Sequence, residues 1–187
     1  MATDSAVQLS HLMSFSSSIR AKPWLVAAFA LLLAVAVAVA VWMHHERQAP
    51  QVEFAGIKGE RISLQALHGK VVLVNFWSTS CAPCLREMPQ LAATWRRLNP
   101  AGLEVVGVAA SYDQPNIVVD FAETRHLPFP VALDVEGSVA HAFGGIKVVP
   151  TTYVVGRDGA IIDYVEGELD ATRLAKLLER ALAVKTP

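Results

Sequence analysis

An uninterrupted apolar segment near the start of the chain limits what this sequence can fold into more than any other feature. Residues 24–43 contain no charged or strongly polar side chain, and Trp24 and Trp42 stand near the two ends. A helix of this length spans about 30 Å, the thickness of a bilayer's hydrocarbon core. Tryptophan rings favour the two membrane interfaces. The sequence therefore predicts one transmembrane anchor over residues 24–43.

Charges beside this segment predict its orientation. Arg20 and Lys22 precede it, whereas Glu46 and Arg47 follow it and cancel. The positive-inside rule places residues 1–23, a serine-rich tail that we expect to be disordered, in the cytoplasm. The rest is then periplasmic, and the protein is a single-pass protein of the inner (cytoplasmic) membrane. A cleaved signal peptide is the alternative, because alanines at every second position from Ala34 offer cleavage sites, but the apolar run is longer than a signal usually has.

The remaining chain reads as a linker, residues 44–50, and one α/β domain, residues 51–187. A net charge of -1 offers no basic surface for nucleic acid. Periodicity and turn residues predict a mixed central sheet with helices on both faces. The predicted strands are 52–54, 61–63, 70–76, 103–110, 129–133, 151–155 and 161–165. The predicted helices begin near residue 82, after Asp113, near Gly137 and after Asp170, and the two aspartates are predicted to cap the helices that follow them.

Both cysteines of the chain lie in one C-x-x-C sequence, Cys81-Ala82-Pro83-Cys84. A bridge across two residues closes too short a loop to stabilise a fold strongly, so a redox role is favoured. The pair joins a predicted strand to a predicted helix, whose N-terminal N–H groups and dipole stabilise a thiolate. Pro83 fits the first helical turn. We expect Cys81 to be the nucleophile and Cys84 the resolving thiol of a redox disulfide.

A zinc site is the competing interpretation of a C-x-x-C sequence. It requires a second pair of ligands, and no second C-x-x-C or paired histidines follow, since His126 and His141 are isolated. No metal and no cofactor are therefore predicted.

Several segments resemble the TlpA/ResA-like membrane-anchored thioredoxin-fold disulfide reductases of the redoxin (AhpC-TSA-like) superfamily. They are 72–89 (VLVNFWSTSCAPCLREMP), 127–134, 142–145 and 149–158, in the family's order. The resemblance implies a thioredoxin-like fold with an added segment before Phe129, and a cis-proline at Pro150 beside the cysteines. It implies that the Val149 backbone pairs with a client strand. Glu87 matches the glutamate of the family's C-x-x-C-x-x-E-x-P pattern, which handles protons near the thiols.

Three positions near the cysteines carry alternatives or departures from that family. Glu87 is equally well explained as a solvated glutamate in the first helical turns. Trp77 matches the family's first tryptophan and is predicted either to contact clients or to pack in the core or at its rim. Ser80 stands where most of the family has tryptophan, so we expect either a wider surface for client docking or a different choice of partner. Asn75 occupies the place of thioredoxin's buried aspartate, so proton transfer falls to Glu87 or to water.

The predicted activity is that of a thiol-disulfide oxidoreductase reducing exported proteins, supplied with electrons by a membrane thiol donor. The resemblance points to clients in cytochrome c maturation or copper-site assembly. A thiol peroxidase of the same superfamily is one alternative, although Thr79 lies two residues before Cys81 rather than three. A copper metallochaperone is another, although it usually requires C-x-x-x-C.

Overall fold

The computed structural model describes residues 22–46 and 48–183, in two compact units. The predicted disordered tail lies outside the described residues except for its last two positions. Helix α1, Pro23–Glu46, contains the segment Trp24–Met43, which is long and apolar enough to cross a membrane. Its apolar side chains are exposed all round, a pattern typical of helices that face lipid.

The predicted linker, residues 44–50, is not a separate segment. Helix α1 continues through Glu46. Gln48 then forms an isolated antiparallel bridge with Ala160, and the Ala49 N–H donates to the Gly159 carbonyl oxygen at 2.9 Å. The chain is therefore already part of the second unit at residue 48, because backbone hydrogen bonds hold it to the turn before the last strand.

The second unit is built on one mixed sheet of seven strands, as predicted. The strands are β1 Glu53–Gly56, β2 Arg61–Ser63, β3 Val71–Trp77, β4 Leu103–Ala109, β5 Val131–Leu133, β6 Thr151–Val155 and β7 Ile161–Glu166. Their order is β2-β1-β5-β4-β3-β6-β7. The neighbours β3, β4 and β5 are parallel, whereas β1, β2, β6 and β7 run antiparallel to their partners.

Helices cover both faces of this sheet. They are α2 Ala82–Leu98, α3 Pro115–Thr124, α4 Ser138–Ala142 and α5 Ala171–Ala183. Strand β3 is buried along its whole length, which explains its continuous apolar sequence. Its alternating side chains enter two cores: Leu73 and Trp77 share one with α2 and α5, while Val74 lies in the other with residues of α4. Asn75 therefore faces the α2 side.

One of the two predicted helix caps is observed and the other is not. Asp170 caps α5 as expected, since its carboxylate accepts the Arg173 N–H at 2.6 Å. The predicted cap by Asp113 is wrong, because Gln114 precedes α3 and makes no side-chain cap. The Asp113 carboxylate instead accepts hydrogen bonds from a distant loop, described below.

Candidate active site

The cysteines lie where β3 ends and α2 begins. Cys81 is the residue that precedes the first turn of α2, and its Sγ accepts the Cys84 N–H at 3.2 Å. The two sulfurs are bonded, with 5.3 Å between the Cα atoms. The first N–H groups of a helix have no partner within it. One of them therefore points at the Cys81 sulfur, where it would stabilise a thiolate in the reduced state.

Accessibility separates the two sulfurs. Cys81 is half-buried and reachable from outside, whereas Cys84 is 0% exposed and belongs to the core. An incoming disulfide can therefore reach only Cys81 directly. This arrangement matches the predicted order of attack, with Cys84 acting second from inside.

The segment before β6 lies beside Cys81. The Val149–Pro150 peptide bond is cis, as the resemblance implied. The Val149 carbonyl oxygen is 3.5 Å from Cys81 Sγ, a contact rather than a hydrogen bond while the sulfur is in the disulfide. Val149 is half-buried and Pro150 is buried. Pro83, in the first turn of α2, is also half-buried, and of the predicted residues outside this helix the structure brings Val149 into contact with Cys81.

The Asp113 carboxylate holds the loop before Cys81. This residue was predicted to cap a helix instead. Asp113 accepts the Ser78 hydroxyl at 2.8 Å and the Thr79 N–H at 2.7 Å. Ser78 Oγ also lies 2.9 Å from Ser80 Oγ. Ser80 itself is exposed. No local pattern signals this network, because Asp113 is 34 and 35 residues from its partners.

The prediction that Trp77 contacts clients is wrong. Its side chain is 0% exposed, so no client can touch it, and its ring packs against Phe121 with centroids 5.2 Å apart. The alternation of β3 directs residue 77 into the core shared with α2. The core-packing alternative is therefore confirmed.

Glu87 is a buried acid. It is 1% exposed, which excludes the solvated alternative. One carboxylate oxygen accepts Asn75 Nδ2–H at 2.8 Å, and the other accepts the Leu169 N–H at 3.2 Å. Burial raises the pKa of Glu87 above the ordinary 4.5, although both hydrogen bonds act in the opposite direction. The acid therefore keeps its proton to a higher pH than a surface glutamate does.

The part of the chain that the structure describes contains no group of three or more histidine, cysteine or acidic side chains arranged to hold a metal ion. The reactive groups that the structure places at the start of α2 are the two cysteine sulfurs and one buried carboxyl group.

Comparisons with known proteins agree on this chemistry. Residues 46–164 match the AhpC/TSA family. Thiol-disulfide oxidoreductase ResA of Bacillus thuringiensis subsp. konkukian is 32% identical over 135 residues, which cover 72% of this chain and 76% of the relative. Among solved structures, a thiol:disulfide interchange protein of the thioredoxin family from Chlorobium tepidum matches with a TM-score of 0.67 and 26% identity, over 73% of this chain and 96% of that one. StoA from Bacillus subtilis matches with a TM-score of 0.60 and 26% identity, over 70% and 97%.

Proposed function

The chain belongs to the AhpC/TSA family and is a thiol-disulfide oxidoreductase, and on this premise we propose that it reduces disulfides of exported proteins while anchored in the cytoplasmic membrane. The predicted relationship to ResA-like proteins and the thioredoxin-like fold are both confirmed. The observation that carries the proposal is the asymmetry of the pair: a reachable Cys81 sulfur that accepts a helix N–H, and a resolving Cys84 in the core.

The reaction consists of two exchanges. The Cys81 thiolate attacks one sulfur of a client disulfide, forms a mixed disulfide, and releases the other client sulfur as a thiolate that takes up a proton. Cys84 then loses its proton and attacks Cys81 Sγ, which closes the Cys81–Cys84 bond and releases the second client thiol. The client gains two electrons and two protons. A membrane thiol donor must then reduce the pair, so that donor is a required partner.

Glu87 is the group we assign to the proton of Cys84. Cys84 is buried, so water does not reach its thiol freely, and Glu87 lies one turn further along the same helix. A raised pKa brings a carboxyl group closer to the range in which it can both accept and return a proton near neutral pH. Glu87→Gln should therefore slow the second exchange, while the first exchange at Cys81 is retained.

The client surface that we propose surrounds Cys81. Val149 offers a backbone carbonyl beside the sulfur, and an extended client segment can pair with it. Pro83 and the short, exposed Ser80 lie near Cys81 in the chain and are also available to a client. With serine in place of the family's tryptophan, a bulky client residue next to the cysteine has room. Ser80→Trp should therefore discriminate between clients, with a larger effect on folded proteins than on a short disulfide peptide.

The membrane location is part of the proposal. Helix α1 has the length and composition of a span, and the charges before it favour a cytoplasmic N-terminus. Reporter fusions at residues 10 and 187 test this topology. An active cytoplasmic reporter at both ends would contradict it, and recovery of a shortened soluble chain would favour the cleaved signal.

The test of the mechanism compares two single substitutions in the full chain in detergent. Cys81→Ser should abolish insulin reduction, because it removes the only sulfur a client can reach. Cys84→Ser should instead accumulate mixed disulfides, since nothing resolves them. Full activity of Cys81→Ser would overturn the assignment. The trapped clients, identified from membranes expressing Cys84→Ser, decide between cytochrome c maturation and copper-site assembly.

Two alternative activities have direct tests in the same preparation. A thiol peroxidase would oxidise Cys81 with hydrogen peroxide far faster than a free thiol at equal pH. A copper metallochaperone would bind Cu(I) stoichiometrically once reduced. The reduction potential of the Cys81–Cys84 couple decides the direction of exchange, because a potential well below that of the clients makes the protein a reductant.

A further inference from the structure

The buried side-chain amide of Asn75, next to Glu87, has hydrogen-bond partners at only one of its two ends. Asn75 is 0% exposed and lies on β3, directly opposite Thr152 of β6. Its Nδ2 donates both hydrogens, to Glu87 at 2.8 Å and to Thr152 Oγ1 at 2.9 Å. Its Oδ1 is buried and has no hydrogen-bond partner among the residues that the structure describes. A buried polar atom without a partner destabilises the fold, so its retention calls for a reason.

The hydrogen bonds around Glu87 fit only one of its two protonation states. Both carboxylate oxygens accept N–H groups, one from Asn75 and one from Leu169. An ionised carboxylate is an acceptor at both oxygens, so this arrangement suits it. A protonated carboxyl group has one O–H to donate, and neither N–H can accept that hydrogen. Burial raises the pKa of Glu87, so the carboxyl group keeps its proton to a higher pH than a surface glutamate does, and in that state its O–H needs an acceptor.

The unpartnered Oδ1 of Asn75 is an acceptor on the same side chain. Rotation of the amide by 180° exchanges the positions of Oδ1 and Nδ2, since the two ends have nearly the same shape. Oδ1 would then accept the carboxyl O–H of Glu87 and the hydroxyl of Thr152, which can donate as well as accept. Each orientation leaves one end of the amide without a partner, so burial alone does not decide between them.

We propose that Asn75 is a positioning residue whose side-chain amide rotates with the protonation state of Glu87, donating to the carboxylate and accepting from the neutral acid. The inference rests on the proposed function only in assuming that Glu87 changes protonation during exchange. The rotation keeps the carboxyl group hydrogen-bonded in both states, so that Glu87 takes up and returns a proton without moving. An ionised aspartate at position 75 cannot do this, because it has no hydrogen to donate to the Glu87 carboxylate.

Charged groups lie near Glu87, but among the described residues none of those hydrogen-bonded to its carboxyl group is charged. On its own helix, Arg86 forms an exposed ion pair with Glu168, at 2.9 Å between Nη2 and Oε2. The segment after β7 contributes that Glu168 and the Leu169 N–H, and the Glu168 charge adds slightly to the raised pKa. Strands β3 and β6 contribute the neutral Asn75 and Thr152. The groups in direct contact with the acid are therefore uncharged.

Selective labelling of asparagine side chains with 15N tests the rotation in the full chain in detergent micelles. The chain contains three asparagines, so Asn99 and Asn116 serve as internal controls. With the cysteines oxidised, neither thiol titrates. We expect the nuclear Overhauser effects from the Asn75 amide hydrogens to the Thr152 methyl group to be strong at high pH and to disappear at low pH. The two control side chains should not change.

A Glu87→Gln chain sharpens the test, because a glutamine amide donates a hydrogen at every pH. It should hold Asn75 in the rotated orientation throughout, with the low-pH pattern of the parent. An Asn75 pattern that is the same at both ends of the parent's titration would overturn the proposal. A Glu87→Gln chain with the parent's high-pH pattern would overturn it as well.

Asn75→Asp, which preserves shape, gives the functional readout. A second carboxyl group beside Glu87 raises the pKa of the pair. Loss of the hydrogen bond that Asn75 donates to the Glu87 carboxylate raises the pKa as well. The pH at which the exchange rate rises should therefore increase by about one to two pH units. An unchanged pH dependence in a folded Asn75→Asp chain would contradict the positioning role. A Glu87→Gln chain with normal exchange would instead refute the proton role of Glu87, independently of the amide data.

Discussion

Replacing Glu87 by glutamine should change how stability depends on pH, with a sign that follows from its burial. The pKa of Glu87 is raised in the folded protein because the carboxyl group is desolvated. Below the ordinary value of 4.5 the group is protonated in both the folded and the unfolded chain, so pH has no effect through it. As pH rises through the window between the unfolded and folded pKa values, only the unfolded chain loses the proton. The folded protein is therefore destabilised with rising pH.

The magnitude follows from proton linkage. Within that window, one proton retained by the folded state lowers the free energy of unfolding by up to about 1.4 kcal/mol per pH unit. Above the folded pKa the loss is constant. Glu87→Gln has no such proton, and its amide can accept from Leu169 and donate to a rotated Asn75. The stability of the variant relative to the parent should thus increase with pH through the window and then reach a plateau.

Urea unfolding of the oxidised full chain in detergent, between about pH 4 and about pH 8, measures this difference. The comparison with Glu136→Gln, an exposed glutamate in the turn after β5, controls for general charge effects and should show a much smaller dependence on pH. A Glu87→Gln difference that is flat, or that falls with rising pH, would refute the assignment of Glu87 as a desolvated acid.

Three other substitutions test the supports of the site. Asp113→Ala removes the acceptor for Ser78 and Thr79, so it should lower the free energy of unfolding by about 1–3 kcal/mol. It should also slow insulin reduction. Unchanged reduction kinetics would show that the loop before Cys81 does not depend on Asp113. Trp77→Ala should lower the free energy of unfolding by about 3–5 kcal/mol, measured by urea unfolding, because it empties a fully buried site. Arg157→Ala should lower it by about 1–3 kcal/mol without altering exchange, since Arg157 follows β6 and its guanidinium donates to three carbonyl oxygens of other segments. These belong to Gly69, Ala101 and Leu182.

The elements of the fold were predictable because their signals are local. The continuous apolar run predicted both bounds of β3 to within one residue, and periodicity predicted the start of α2 near residue 82, as observed. The cap at Asp170 was also predictable, because its partner Arg173 is three residues away. The location of the cysteine pair was predictable for the same reason, because the pair lies at the junction between these two elements.

The surroundings of the cysteines were less predictable, because they depend on contacts between distant residues. A short polar side chain before a helix is typical of a cap. The Asp113 carboxylate instead accepts hydrogen bonds from two donors in the loop before Cys81. The burial of Glu87 depends on the segment at Leu169, which is 82 residues away. For Trp77, the alternation of β3 could have placed the ring in the core, since residues 71 and 73 are on the same face.

The central claim is that the start of α2 holds Cys81 as a thiolate, and the pH dependence of its alkylation tests this most directly. In the reduced Cys84→Ser chain, the rate of reaction with iodoacetamide should rise with a midpoint clearly below about 8.5, the ordinary value for cysteine. The same chain unfolded in urea provides the reference and should give the ordinary midpoint. A folded midpoint at or above that reference would contradict the account.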